Sequence, residues 1–305
     1  MKACTSPIGS LLVLVFLLST SICSAAEQEP TSMPEGTKTG AGVDGLQHQD
    51  LTEIDRQLSN VLSPLWSLVF QNNLSLKNGD LIDGSVAANT FYFQPSLPIP
   101  VGENKDMVFI ARPVFPLVTN PILNLTSSDG VDGHVTGLGD IQLLSLIGPN
   151  RKEGVVWGLG ATFKFPTASD PELGEGKYQA GPACLLSYLS KDWTIRINPQ
   201  HWMSYAGDND RQSTNQTEIA YSIHYHLPDG WSTGMAPTIT IDWKAKSGDR
   251  LTFPIGMGLG KVFRVGDMPV KVRFEVHYSV IHPESFGSEW NFRLQIVPVI
   301  SNPFR

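Results

Sequence analysis

Residues 270–280 read VKVRFEVHYSV, and apolar and polar side chains alternate along the whole stretch. Val270, Val272 and Phe274 occupy even positions, whereas Lys271 and Arg273 occupy odd ones. Successive side chains of a β-strand point to opposite faces of the sheet. The stretch therefore predicts a strand with one face in hydrocarbon and the other in water.

The same alternation recurs along most of the chain. Residues 231–244 (WSTGMAPTITIDWK) and 290–300 (WNFRLQIVPVI) repeat it. From residue 65 onward, about twelve runs of roughly 10–14 residues are separated by clusters of Gly, Asp, Asn and Pro. Strands of soluble proteins usually have about 5–6 residues, roughly half this length. Run length therefore predicts an all-β protein, an antiparallel transmembrane β-barrel of about 12 strands. A secreted or surface-associated soluble β-sandwich is the alternative.

Aromatic residues mark the ends of several runs. Trp231 and Trp243 lie on one face at opposite ends of a run, as do Trp193 and Tyr205. At ~3.3 Å per residue and ~45° tilt, each pair spans about 28 Å, close to the ~25 Å apolar band of outer-membrane barrels. This spacing favours a barrel with two aromatic belts.

The connections alternate in length. Short ones fall at 148–154, 189–192, 227–230 and 264–268, and longer polar ones at 77–86, 118–136 and 167–176. Short periplasmic turns and long external loops alternate in this way. We therefore expect both chain ends to lie in the periplasm.

Prolines within the runs argue against regular pairing throughout. They are Pro95, Pro98, Pro113, Pro116, Pro182, Pro199, Pro237 and Pro254. A closed barrel pairs every strand on both sides, and proline removes a ladder hydrogen bond. A barrel built from these runs must therefore contain bulges or local breaks.

Composition excludes several classes of protein. Of the 305 residues, 41% are hydrophobic and only 17% charged, and 28 Gly and 22 Pro favour a turn-rich protein over a helical one. The net charge of −7 argues against a nucleic-acid partner, which would need clustered Lys and Arg. Beyond the N-terminal leader, no apolar run reaches the ~18 residues of a membrane helix.

The first 26 residues carry an export signal. Lys2 precedes an apolar core at 11–18, and Ser24 begins a run of small residues. This pattern predicts a secretory signal peptide over 1–26 that is cleaved near Ala26.

The next segments lead into the barrel. Residues 27–49 are polar and aperiodic, which predicts a flexible linker. Over 50–64 a capping-box pattern and apolar residues at helical spacing predict a short amphipathic helix. This helix either covers the end of the barrel or enters it as a partial plug. We expect the barrel over 65–300 and a short tail over 301–305.

Several short motifs resemble those of a known family. They are LSN at 58–60 through FQNN at 70–73, GLGDI at 137–141, WGLG at 157–160, FPTASD at 165–170, GPA at 181–183, AGDNDR at 206–211, SGDR at 247–250 and GKVF at 260–263. In order and spacing they resemble the bacterial outer-membrane barrel family catalogued with the meta pathway of phenol degradation. The resemblance covers roughly 58–299. It implies an outer-membrane barrel that passes small compounds, aromatic ones included.

The polar face of the predicted strands collects charges of both signs. The predicted lumen-lining residues are Arg112, Asp140, Gln142, Lys164, Arg196, Glu218, His224, Asp242, Arg273, Glu275, His277 and Arg293. Such a wall forms either a conducting polar passage or a packed network of salt bridges. Both interpretations remain open from the sequence.

Other chemistry is weakly indicated. His224 and His226 share one strand face, but no acid or Cys accompanies them nearby, so a pair of lumen side chains is favoured over a metal site. Ser279 follows His277 by two positions without an orienting third group, so we expect no enzyme activity. We expect no cofactor and no metal.

The patterns together predict a channel or transporter for small solutes in the cell outer membrane. Its predicted partners are outer-membrane lipid, a small-molecule solute and the barrel-assembly machinery.

Overall fold

The computed structural model describes residues 50–124, 126 and 130–300. The predicted signal peptide, the predicted linker over 27–49 and the C-terminal tail lie outside the described residues. Every helix in the described ranges is too short or too polar to cross a bilayer.

The described part of the chain opens with an α-helix, α1 (Leu51–Ser59). The Asp50 carboxylate accepts a hydrogen bond from the Thr52 backbone N–H at 3.3 Å, as an N-cap does. Asn60 is extended, and its side chain accepts from the Leu62 N–H at 3.1 Å. The helix is therefore shorter than the predicted 50–64. The Leu62 N–H donates to the Asn60 side chain instead of to a helical carbonyl.

Fourteen β-strands follow within the described residues. They are β1 (Trp66–Asn78), β2 (Val86–Val101), β3 (Met107–Leu123), β4 (Val131–Leu138), β5 (Ile141–Pro149), β6 (Gly154–Phe165), β7 (Lys177–Leu189), β8 (Trp193–Gly207), β9 (Asn215–His226), β10 (Trp231–Met235), β11 (Thr238–Asp242), β12 (Leu251–Val265), β13 (Met268–Ile281) and β14 (Gly287–Ile300).

These strands form twelve positions in one closed antiparallel sheet. β4 and β5 both pair with β3 and share one position, and β10 and β11 share another between β9 and β12. The ring closes where β1 pairs with β14. The predicted barrel of about 12 strands is thus confirmed. The β-sandwich alternative is wrong, because a single sheet closes on itself.

The two ends of the barrel differ. At the short-turn end lie the turns after β2, β5, β7, β9 and β12, together with α1 and the end of β14. At the long-loop end lie the connections after β1, β3, β6, β8, β11 and β13.

One predicted loop is largely strand. Residues 118–136 form the end of β3 and most of β4, paired from Leu117 opposite Leu138 to Leu123 opposite Val131. The predicted loop boundaries were wrong here, because Val118, Thr119 and other β-branched residues extend the hairpin beyond the barrel wall.

The ladder is interrupted at several of the prolines. Pairing between β2 and β3 is absent around Pro95 and Pro113, and pairing between β7 and β8 lapses around Pro182 and Pro199. Pro237 separates β10 from β11. The register shifts at Pro254, where the Tyr221 hydroxyl donates to the Pro254 carbonyl at 2.6 Å. The predicted breaks are therefore present at these positions, whereas Pro98 and Pro116 remain paired.

The two faces of the wall have opposite chemistry. Large apolar side chains such as Leu159, Met257 and Phe274 point outward and are at least half exposed. Aromatic rings pair near both ends of this outer surface. The ring centres of Trp193 and Tyr225 are 4.8 Å apart, and those of Tyr278 and Trp290 are 4.9 Å apart. Inward-facing side chains are mostly polar and buried. The sheet therefore encloses a polar interior in an apolar exterior.

Candidate functional site

The helix α1 lies across the short-turn end of the barrel interior. Its Asp55 is fully buried, with Oδ2 2.5 Å from Nδ1 of His226 on β9 and Oδ1 2.8 Å from Nζ of Lys271 on β13. The hydroxyl of Ser232 on β10 donates to Oδ1 at 3.1 Å. The Asp55 carboxylate therefore joins α1 to one side of the barrel wall.

Burial by itself raises the pKa of the Asp55 carboxyl. The Lys271 ammonium and the hydrogen bond with His226 outweigh burial and hold this pKa well below its usual range. Asp55 is accordingly an ionised anchor.

The chain after α1 crosses to the opposite side. Leu62 is buried against inward-facing residues of β3, β5, β6 and β7, namely Ile110, Leu144, Leu146, Val156, Ala183, Leu185 and Leu189. Burying a leucine side chain contributes about 1.5–3 kcal/mol. Because Asp55 and Leu62 contact opposite walls, the segment 51–65 spans the interior and obstructs it. We call this segment the plug.

Above the plug lies a cavity of about 390 Å³, the central cavity. Gln57, Ser59, Asn60 and Val61 of the plug line its lower boundary. Of the predicted lumen residues, seven line it: Arg112, Gln142, Arg196, Glu218, His224, Arg273 and Arg293. They come from six different strands, because each strand places alternate residues on the inner face.

A charge cluster centred on Glu275 lies in the wall beside this cavity. Glu275 is 1% exposed and contacts Arg273 Nε at 2.5 Å, His277 Nε2 at 3.0 Å and Arg293 NH1 at 3.3 Å. Breaking a buried ion pair by removing one partner costs about 3–5 kcal/mol, since it leaves a charge uncompensated. These four predicted residues are thus brought together as a network.

A second ion pair lies farther round the wall. Lys164 Nζ is 3.6 Å from Glu218 and 4.3 Å from the centre of the Trp202 ring. The ring face attracts the ammonium, and Gln216 accepts a hydrogen bond from it at 3.4 Å. Lys164 is therefore neutralised without contacting the Glu275 cluster.

Two arginines of the central cavity stand apart from these networks. Arg112 donates to the Gln94 side-chain oxygen, and Arg196 forms no ion pair with a described acid. The Nε atoms of both are buried without a hydrogen-bond partner in the described ranges, as are both ring nitrogens of His224. Positive charge and free donors therefore converge on this space.

Asp140 lies at the long-loop end of the interior. It lies in the two-residue break between β4 and β5, where Oδ1 accepts from the Thr167 and Ala168 N–H groups at 3.1 Å and Oδ2 from the Glu175 N–H at 2.7 Å. An acidic side chain that accepts three backbone hydrogen bonds organises the loop that supplies them. Asp140 therefore shapes the connection 166–176.

This connection borders a second cavity of about 430 Å³ at the long-loop end, the mouth cavity. Asp140, Gln142, Lys164 and Tyr92 are among its lining residues. Gln142 and Tyr92 also line the central cavity. The two cavities are thus consecutive along the interior.

Sequence reasoning did not single out Arg211, which ties two external loops together. It donates to the Pro171 carbonyl at 2.8 Å, to the Gly174 carbonyl, and to the Glu175 carbonyl at 3.5 Å. The signals in the sequence are its place in the AGDNDR motif at 206–211 and its positive charge in an otherwise acidic loop, beside Asp208 and Asp210.

Asp242 lies at the rim and lines neither cavity. Its Oδ1 accepts from the Lys244 backbone N–H at 2.9 Å, as acids in turns commonly do. Alternation along the strand predicts that Asp242 faces the lumen. Because β11 ends at this residue, Asp242 lies at the rim of the barrel instead of beside a cavity.

Of the two histidines predicted as a lumen pair, His226 has hydrogen-bond partners and His224 has none among the described residues. His226 contacts Asp55 and, through Nε2, the Thr194 hydroxyl at 2.8 Å. No group of three metal-binding side chains occurs in the described part of the chain. His277 contacts Glu275, and no hydrogen bond joins it to Ser279 in the described ranges.

No protein-family model and no curated protein sequence matches the chain. Among solved structures it is similar to an outer-membrane channel of Pseudomonas putida F1, at 12% identity and a TM-score of 0.53, over 78% of this chain and 94% of the other.

More distant likenesses are to two autotransporter barrels. The β-domain of Brka from Bordetella is 10% identical with a TM-score of 0.43, over 76% of this chain and 98% of the other. The translocator domain of NalP from Neisseria meningitidis is 11% identical with a TM-score of 0.41, over 84% and 91%. Together with its apolar exterior and polar interior, the fold defines the chain as a β-barrel of the outer-membrane type.

Proposed function

We propose that this protein is an outer-membrane channel that admits small solutes into its barrel from the long-loop end. The observation that carries the proposal is the pair of consecutive cavities inside a closed wall whose outer surface is apolar. A polar interior suits solutes that move in water.

The outer surface supports insertion in the outer membrane. Leu186, Leu259 and Phe274 are among the exposed apolar residues, and burying them in lipid removes apolar area from water. Aromatic pairs at both ends would lie at the two headgroup regions. Outer-membrane lipid and the barrel-assembly machinery are the partners that this location requires, after export directed by the signal peptide.

Passage through the barrel requires the plug to move. The Asp55 ion pair holds it to one wall and Leu62 to the other, so it obstructs the short-turn end in the state described here. We propose that the conducting state has α1 withdrawn toward the periplasm. The obstructed state then corresponds to a closed channel.

Aromatic or hydrophobic compounds are the candidate solutes. The resemblance to barrels catalogued with the meta pathway of phenol degradation supports this choice. Tyr92, which borders both cavities, and apolar residues such as Val114 and Leu144 offer surfaces for a ring.

We propose that the protein transports rather than catalyses. The nearest arrangement to a nucleophile and base is Ser279 with His277, and His277 is engaged by Glu275. Glu275 is in turn shared by two arginines, so it is poorly placed to activate His277 as a base.

The proposal is tested by locating the protein and measuring conductance. We expect the full-length protein in outer-membrane fractions, with heat-modifiable migration on gels. In planar bilayers we expect single-channel events interrupted by long closures. A heat-modifiable, folded protein that never conducts would contradict a channel.

A further inference from the structure

We propose that the central cavity binds a small organic carboxylate, with its charge held between Arg112 and Arg196 and its apolar body against the adjoining wall. This proposal rests on the proposed channel function, because the ligand would reach the cavity from the long-loop end.

Positive charge exceeds negative charge around the cavity. Asp55 offsets Lys271, Glu218 offsets Lys164, and Glu275 is shared between Arg273 and Arg293. No described acid lies within ion-pair distance of the two remaining bases, Arg112 and Arg196. An unpaired buried cation is costly, so a site with two of them is suited to an anionic ligand.

The two free arginines belong to one site. Arg112 borders the central cavity from β3, and Arg196 borders it from β8. Guanidinium groups bind carboxylates through two parallel N–H donors. An anion between them would offset both charges and give the buried Nε atoms an acceptor.

Neutral polar groups complete the recognition surface. His224 is 6% exposed, borders the cavity and has no partner for either ring nitrogen among the described residues. Gln200 borders the same space, and its side-chain oxygen accepts from the Thr162 hydroxyl at 3.0 Å, so its amide N–H groups can donate to a ligand. The site thus offers hydrogen bonds to a carboxylate oxygen beyond those of the arginines.

The rest of the lining selects an organic anion over an inorganic one. Val69, Val114 and Leu144 border the cavity, and its volume of about 390 Å³ far exceeds that of a phosphate ion. Small-ligand pockets have volumes of about 300–1,000 Å³ and combine apolar walls with a few convergent polar groups. A carboxylate with a compact apolar body fits this combination.

The experiment measures binding directly, on purified full-length protein in detergent. Calorimetric titration uses benzoate, its uncharged analogue benzamide, and inorganic phosphate as probes. We expect saturable binding of benzoate, and binding of benzamide and phosphate at least about ten-fold weaker, because each lacks one of the two features recognised.

Variants locate the site. R112Q and R196Q should each weaken benzoate binding about ten-fold or more, since each removes one charged partner. The matched control R250Q changes an arginine in the external connection after β11, where it donates to the Ala245 carbonyl, and should bind as the wild type does. Heat-modifiable migration verifies that every variant is folded.

The site would be overturned by no benzoate binding to folded wild type, by equal binding of benzamide, or by unchanged binding in R112Q and R196Q. Stronger binding of phosphate than of benzoate would also overturn it, in favour of an inorganic anion. Conductance in the same preparation separates these failures from failure of the channel proposal, because a barrel can conduct without holding a carboxylate.

Discussion

The carboxylate of Asp55 lies 2.5 Å from the imidazole of His226, although 171 positions separate the two residues. Both side chains are fully buried. The contact joins α1, which precedes the barrel in the chain, to strand β9 of the wall. The plug can therefore take this position only after β9 has become part of the barrel wall.

Asp55→Asn should loosen the plug. The substitution removes the charge that offsets Lys271, and breaking one partner of a buried pair costs about 3–5 kcal/mol. We expect more frequent opening in planar bilayers. Glu53→Gln is the matched control, because Glu53 lies on the same helix and bonds to Arg56 and Gln57 within it. Equal opening in both variants would mean that Asp55 does not hold the plug.

Acid should release the plug only well below the usual titration range of a carboxylate. The pKa of Asp55 is lowered in the folded protein, so its stabilising contribution is fully present above the unfolded value of ~3.9. That contribution is lost as pH falls through the lowered pKa. Conductance recorded from pH 7 downward should show no Asp55-dependent opening above about pH 4. A wild-type opening at pH 5–6 that Asp55→Asn abolishes would contradict this assignment.

Phe274→Arg should impair assembly. Phe274 points outward, is half exposed, and pairs with Leu259 and Leu294 midway along the wall. Arginine at the middle of a lipid-facing surface costs about 2–4 kcal/mol, and near the interface about 0–1. The control Ile281→Arg lies at the end of β13. The heat-modifiable fraction in membranes should fall for the first variant and not for the second. Equal assembly would mean that this face does not meet lipid.

Arg211→Ala should free the connection 166–176 at the mouth. Its guanidinium donates to three carbonyls of that connection, and each hydrogen bond to a charged group contributes about 1.5–3 kcal/mol. Limited proteolysis of intact cells should then cleave the connection faster. Arg250→Ala, which loses one bond to its own loop, is the control. An unchanged cleavage rate would assign the ordering of this loop to Asp140 alone.

The sequence predicts the wall better than the interior. Alternation is a local signal, so it identifies the faces that carry Phe274 and Arg273 and the approximate number of strands. The contacts of Asp55 could not be predicted, since Lys271 and His226 are remote in sequence and become neighbours only on closure of the ring.

Asp140 shows a different limit. Alternation along the chain predicts that Asp140 faces inward. In the structure it lies in the break between β4 and β5, lines the mouth cavity and accepts hydrogen bonds from three backbone N–H groups. The role of an acid in a turn depends on which loop folds over it, and alternation contains no information about that.

The break at Pro237 has a consequence for how the interior can evolve. The carbonyl of Ala236, beside this proline, accepts a hydrogen bond from Arg293 NH1 at 2.5 Å. The same guanidinium contacts Glu275 and Asn73 and borders the central cavity. One side chain thus contributes both to the cohesion of an interrupted strand and to the electric field that a solute meets. Selection for a new solute cannot alter Arg293 without also altering barrel stability, so adaptation should proceed through Arg112 and Arg196 while Arg293 stays unchanged.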